Sequence, residues 1–114
     1  MNITKRKPPT PGEILSEEFM VPLGLTQNKL AEFIQVPRRR INEIINNKRS
    51  ITPDTAIRLS KLFGTSADLW LNLQHKVDLW EAFANREQEY KRIEPIESIK
   101  SYLMPKSSDF QFSS

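Results

Sequence analysis

With 114 residues, 38% of them hydrophobic and 27% charged, the chain has room for one domain of ordinary size and a short extension. It contains no cysteine and a single histidine, His75, which excludes a disulfide scaffold, a thiol nucleophile and a histidine-based metal centre within one chain. No apolar run approaches the ~20 residues of a membrane span, and the basic start MNITKRKPPTPGE lacks the apolar stretch of a secretory signal. Composition thus predicts a small cytoplasmic protein that is not an enzyme and carries no cofactor.

Local punctuation predicts five helices. Thr10-Pro11-Gly12-Glu13 combines a capping threonine, proline at the first helical position and glutamate three residues after the cap, so a first helix should run from Pro11 to about Met20. Pro22 and Gly24 should end it. Thr26 caps a second helix with Leu30, Ala31 and Ile34 on one face. Pro37 opens a third, carrying Ile41, Ile44 and Ile45, and Asn46-Asn47 closes it, asparagine being tolerant of the left-handed conformation. Thr52-Pro53 starts a fourth helix, through Ala56, Ile57, Leu59, Ser60 and Phe63, and Gly64 stops it. Ser66 caps a long fifth helix whose stripe Leu69, Leu73, Val77, Trp80, Ala84 should face the domain, with no strong breaker before Pro95. From Ser98 onward the pattern reads as a frayed tail. No segment alternates as a strand does. The architecture is all-α.

Charge is unevenly placed along these elements. Arg38, Arg39, Arg40, Lys48 and Arg49 cluster around a lone Glu43, the electrostatic footprint of a polyanion-binding surface. Helices two and three are joined only by Gln35-Val36-Pro37, so they must cross steeply, and the small Ala31 allows their backbones to approach. That is the helix-turn-helix pattern, in which the second helix enters the major groove. An ordinary helical corner would need the same apolar positions. The outer face of the third helix separates the two. At about 100° per residue, with Ile41, Ile44 and Ile45 inward, Arg39, Asn42, Glu43 and Asn46 point outward and Arg38 and Arg40 flank them. Arginine pairs bidentately with guanine, asparagine with adenine, and a carboxylate accepts from cytosine N4. Gln27, Lys29, Arg40, Lys48 and Arg49 are placed to hold phosphates.

The stretches PGEILSEEFMVPLGLTQNKLAEFI, VPRRRINEIINNKRSITPDTAIRLSKLFGTS and DLWLNLQHKVDLWEA resemble the HigA/VapI-type antitoxins of the Xre helix-turn-helix group, over about residues 8–84. The resemblance implies a five-helix, lambda-repressor-like domain that neutralises a HigB-type ribonuclease toxin and represses its own operon. It also implies base contacts from Arg38, Arg39, Asn42 and Glu43, with Gln27 and Lys48 on phosphates. The chain departs from the family at Gln35 and Asn47, where glycine is usual, and in the tail beyond about residue 92. The expected organisation is a basic segment over 1–9, the DNA-binding domain over 10–92 and a partly flexible extension over 93–114.

Other features have plainer readings. Trp70, Trp80, Phe83 and Tyr90 fall at helical spacing and fit core or dimer contacts better than a ligand site. His75 reads as a partly exposed polar residue, and no nucleophile set or phosphate-cradling glycine loop is present. If the fifth-helix stripe faces inward, Leu71, Leu79, Phe83 and Tyr90 are left partly uncovered, which predicts a homodimer through that helix. Glu13, Glu17 and Glu18 on the first helix form an acidic patch suited to a basic ribonuclease, so the toxin is expected there, with the preceding segment. The same carboxylates would also suit a simple solvated helix start. The alternatives to an antitoxin are a stand-alone Xre-type regulator and a protein-interaction module that has lost DNA binding. The base-reading groups kept on the third helix argue against the latter.

Overall fold

The computed structural model describes residues 6–103, and every regular element among them is helical. Helix α1 opens as Pro11–Ile14, widens into a π-helical stretch at Leu15–Met20 and closes as Val21–Leu23. It is followed by α2 (Gln27–Ile34), α3 (Arg38–Ile45), α4 (Pro53–Phe63), α5 (Ala67–Lys91) and α6 (Ile96–Leu103). The four predicted hydroxyl caps are in place: Thr10, Thr26, Thr52 and Ser66 each accept a bond from the backbone N–H three residues on.

Helix α1 passes through Pro22 instead of ending at Met20. A proline inside a helix lacks its N–H and crowds the carbonyl one turn back. The π-helical stretch ahead of it relieves that crowding, with Val21 N–H donating to the Ser16 carbonyl five residues back. The helix then stops at Gly24, in the left-handed conformation at φ 62°, and Leu25 N–H closes onto the Met20 carbonyl at 2.8 Å.

Helices α2 and α3 stop by the same device without a glycine. Gln35 and Asn47 both sit at φ 60°; Val36 N–H donates to the Ala31 carbonyl at 3.0 Å and Lys48 N–H to the Glu43 carbonyl at 2.7 Å. The glycine-to-glutamine departure in the turn therefore leaves its geometry intact. Gln35 holds a conformation that costs an ordinary L-residue about 1–2 kcal/mol, partly offset by the extra chain entropy that a glycine would lose. Gln35→Gly should raise unfolding stability by about 0.5–1 kcal/mol, read as a higher urea midpoint at unchanged slope.

The core is one cluster, with Leu15, Leu30, Ile41, Ile44, Leu59 and Trp70 fully enclosed. Trp70 anchors α5: its indole N–H donates to Thr65 Oγ1 at 2.9 Å, and its ring lies 5.1 Å from Phe19 and 6.3 Å from Phe63. This anchor rotates α5 away from the expected stripe. Trp70 and Val77 are buried and Leu73 packs on the core, whereas Leu69 is 36% exposed and Ala84 lies on the surface. Two further corrections concern the C-terminal end. Helix α5 has a break at Arg86 (φ −130°, ψ 25°), well before Pro95, and residues 96–103 of the expected extension form α6 where fraying was predicted from Ser98. The stretch beyond Leu103, with Pro105 and SSDFQFSS, lies outside the described residues. No helix among the described residues is long and apolar enough to cross a membrane.

Candidate nucleic-acid interface

Helix α3 presents its outer face because its inner face is held from two sides. Ile41 and Ile44 are buried among the core residues, and the N-terminal turn of α1 abuts the C-terminal half of α3. The abutment is backbone on backbone: a Cβ built on Gly12 overlaps the Ile44 carbonyl oxygen and lies 2.9 Å from Ile45 Cα. Only glycine fits there. Its sequence neighbourhood signals a helix cap and nothing of this contact.

The outer face then sorts into free and engaged side chains. Arg39 is 85% exposed and, among the described residues, forms its ion pair with Glu43 at 3.5 Å. Arg38, Asn42, Asn46 and Lys48 are exposed, and Arg38 and Lys48 form no ion pair among the described residues. Asn42 Nδ2 donates to Gln27 Oε1 at 3.2 Å, which ties the first turn of α2 to the centre of α3 and orients the Asn42 amide. Asn46 turns back to the Asn42 carbonyl at 2.9 Å and so closes the helix end. Lys29 pairs loosely with Glu32 at 3.5 Å.

The remaining charged groups hold the unit together. Glu43 accepts two bonds from Arg49, at 3.0 and 2.8 Å, which pins the loop after α3 against the helix. Arg40 Nη1 donates to Asp54 at 2.8 Å and links α3 to the start of α4. Arg58 joins the same carboxylate and reaches across to the Ile34 and Gln35 carbonyls at 2.9 and 3.3 Å. Those are carbonyls that the end of α2 leaves without helical partners. The reach of Arg58 to the end of α2 carries no signal in the sequence, since those two carbonyls lie more than twenty residues away. Hydrogen bonding from Arg49, helped by Arg39, holds the Glu43 carboxyl below its usual range, and Arg40 and then Arg58 do the same for Asp54. Both clamps are therefore complete at neutral pH and loosen only as pH falls through those lowered values.

The other predicted sites are also placed. Glu13, Glu17 and Glu18 are exposed on α1. Leu79 is 51% exposed, and Phe83 and Tyr90 stack on each other with ring centres 6.2 Å apart. Leu71 differs from these, because it packs against the core.

Residues 17–70 match the helix-turn-helix family model. The chain is 45% identical over 103 residues to an uncharacterised helix-turn-helix transcriptional regulator of Escherichia coli, YbaQ, with 90% of each chain covered. It is 38% identical to antitoxin HigA-1 of Vibrio cholerae, over 84% of this chain and 90% of that one. The chain belongs to the HigA-type branch of the Xre helix-turn-helix family. Among solved structures it is similar to the Pseudomonas aeruginosa antitoxin HigA with the higBA promoter, at a TM-score of 0.75 and 38% identity, covering 78% of this chain and 98% of that one. HigA-type structures of this kind share the all-helical fold described above.

Proposed function

We propose that this HigA-type protein is the antitoxin of a type II pair, which represses its own operon as a homodimer and neutralises a HigB-type ribonuclease. The observation that carries the DNA half is the Gln27–Asn42 pair beside the solvent-exposed Arg39. It presents an oriented amide and an exposed guanidinium on the outer face of α3, the two groups that read adenine and guanine edges. Arg38 reads beside them, Glu43 discriminates by accepting from cytosine and repelling misplaced phosphates, and Asn46 borders the face. Lys48, with Gln27 and Lys29 at the start of α2, takes the backbone. Arg40 and Arg49, expected on phosphates from sequence, serve here first as the fasteners of α3.

One recognition helix of eight residues reads few base pairs, so useful affinity needs two copies on two half-sites. The α5 surface of Leu79, Phe83 and Tyr90, turned away from the core, supplies the dimer contact. The toxin meets the acidic face of α1, since a ribonuclease must carry a basic active face and the arginines of α3 would repel it.

Lys48→Ala should weaken binding to operator and unrelated duplexes alike and reduce the slope of log K against log salt by about one. A loss confined to the operator would move Lys48 from the backbone to the bases. The antitoxin half is tested by coexpression with the product of the adjoining gene. A growth-arresting ribonuclease that is silenced and copurifies supports it, and reversal of Glu13, Glu17 and Glu18 to lysine should abolish the silencing. If no neighbouring product is toxic or bound while operator binding persists, the protein is a stand-alone regulator, in line with the E. coli relative named as a transcriptional regulator.

A further inference from the structure

Among the described residues, helix α6 is an amphipathic helix with no covering surface. Ile96, Ile99 and Leu103 recur at i, i+3 and i+7 and so share one face. Yet α6 buries none of its residues, and Ile96 and Leu103 are each 45% exposed. The described chain is 66 Å long against 29 and 21 Å across, as expected when a 25-residue helix carries a further segment away from a small body. Helices in proteins draw most of their stability from packing an amphipathic face, so this uncovered face calls for a partner.

We infer that the partner is a second copy of this chain, and that α6 of each protomer seats on α5 of the other, at the recess beside His75, Asp78 and Leu79. Two observations, and the symmetry of a dimer, select a second copy. From Arg86 to Leu103 four basic side chains balance four acidic ones, so the arm has no net charge to draw it to a nucleic acid or to a strongly basic protein. The surface that fits it is present on the same molecule: Leu79, Phe83 and Tyr90 fall on the side of α5 opposite Trp70 and Val77, and an open recess of about 390 Å³ lies at Leu79. In a two-fold dimer the contact is made twice, on the same α5 surface that the dimer reading uses. The inference rests on the dimer reading above and adds to it an exchanged arm that locks the two recognition helices at one separation.

The chain has no cysteine, so single cysteines report the contact directly. Full-length protein carrying Leu79→Cys is mixed with full-length protein carrying Ile99→Cys and oxidised gently. A mixed disulfide between the two chains is expected. Full-length Ile99→Glu/Leu103→Glu should dimerise about tenfold or more weakly in sedimentation, with the near-ultraviolet signature of the Phe19–Phe63–Trp70 core retained because α6 lies outside that core. The inference falls if the mixed disulfide is absent and the double variant dimerises as wild type does. It falls equally if that variant dimerises normally but no longer binds the ribonuclease, which would assign the arm to the toxin. Wild-type protein that sediments as a monomer at roughly tens of micromolar, the range of a weak dimer, overturns the α5 dimer and the arm together. An intact dimer indifferent to α6 overturns the arm alone.

Discussion

Asn42→Ala should lower operator affinity by about 2–6 kcal/mol, the sum of about 1–3 kcal/mol at each of two half-sites, while binding to unrelated duplex changes little. Asn42 is exposed and central on α3, and Gln27 already holds its amide at 3.2 Å, so little ordering entropy remains to be lost when it meets an adenine edge. Truncation removes the donor and acceptor together and leaves the α3 fold in place, because the side chain contributes nothing to the core. Gln27→Ala separates orientation from contact: it should cost less than Asn42→Ala and lose part of the discrimination. Titrations of the operator, and of operators altered at single positions, check both. A uniform loss over all duplexes would show that Asn42 acts on the backbone.

Gly12→Val should be the most damaging single change, destabilising the domain by about 3 kcal/mol or more, at or beyond the upper end for overpacked cores. The obstructing atoms are the Ile44 carbonyl oxygen and Ile45 Cα, both backbone, so no side chain can rotate away to make room. Either α1 lifts from α3 or α3 shifts, and the second outcome moves the outer face of α3 that is proposed to read bases. The substitution should therefore lower the urea midpoint and weaken specific binding even at temperatures where most of the protein is folded. Gly24→Ala offers the contrast. No atom lies within 4 Å of a Cβ there, so it should show only the modest strain of a left-handed alanine and leave DNA binding alone.

The parts of this molecule that are local in sequence were legible from it. The cap hydroxyls of Thr10, Thr26, Thr52 and Ser66, the stop at Gly64 and the short turn Gln35-Val36-Pro37 between α2 and α3 all act within a few residues. Features that depend on distant neighbours were not. Gly12 looks like part of a cap until Ile44 is placed against it, and Arg58 looks like a solvated arginine until it reaches the end of α2. The inward line of α5 was misjudged because Leu69 and Trp70 are adjacent and equally apolar; the partners Phe19, Phe63 and Thr65 decide for the tryptophan. On the outer face of α3, the exposed positions of Arg39 and Asn42 followed from helical geometry alone. The engagement of Arg40 and Arg49 did not, since charge count cannot separate a phosphate contact from an ion pair with Asp54 or Glu43. Helix α6 was hidden by its shortness, although Ile96, Ile99 and Leu103 already stood at helical spacing.

The central claim is that α3 reads a sequence in the gene's own promoter. Its most direct measurement is fluorescence anisotropy of full-length protein on the promoter duplex and on a scrambled duplex of equal length and composition, over a range of salt. Both affinities should fall as salt rises, with the promoter preferred by about a thousandfold or more at physiological salt. Equal affinity for the two duplexes at every salt concentration would contradict it.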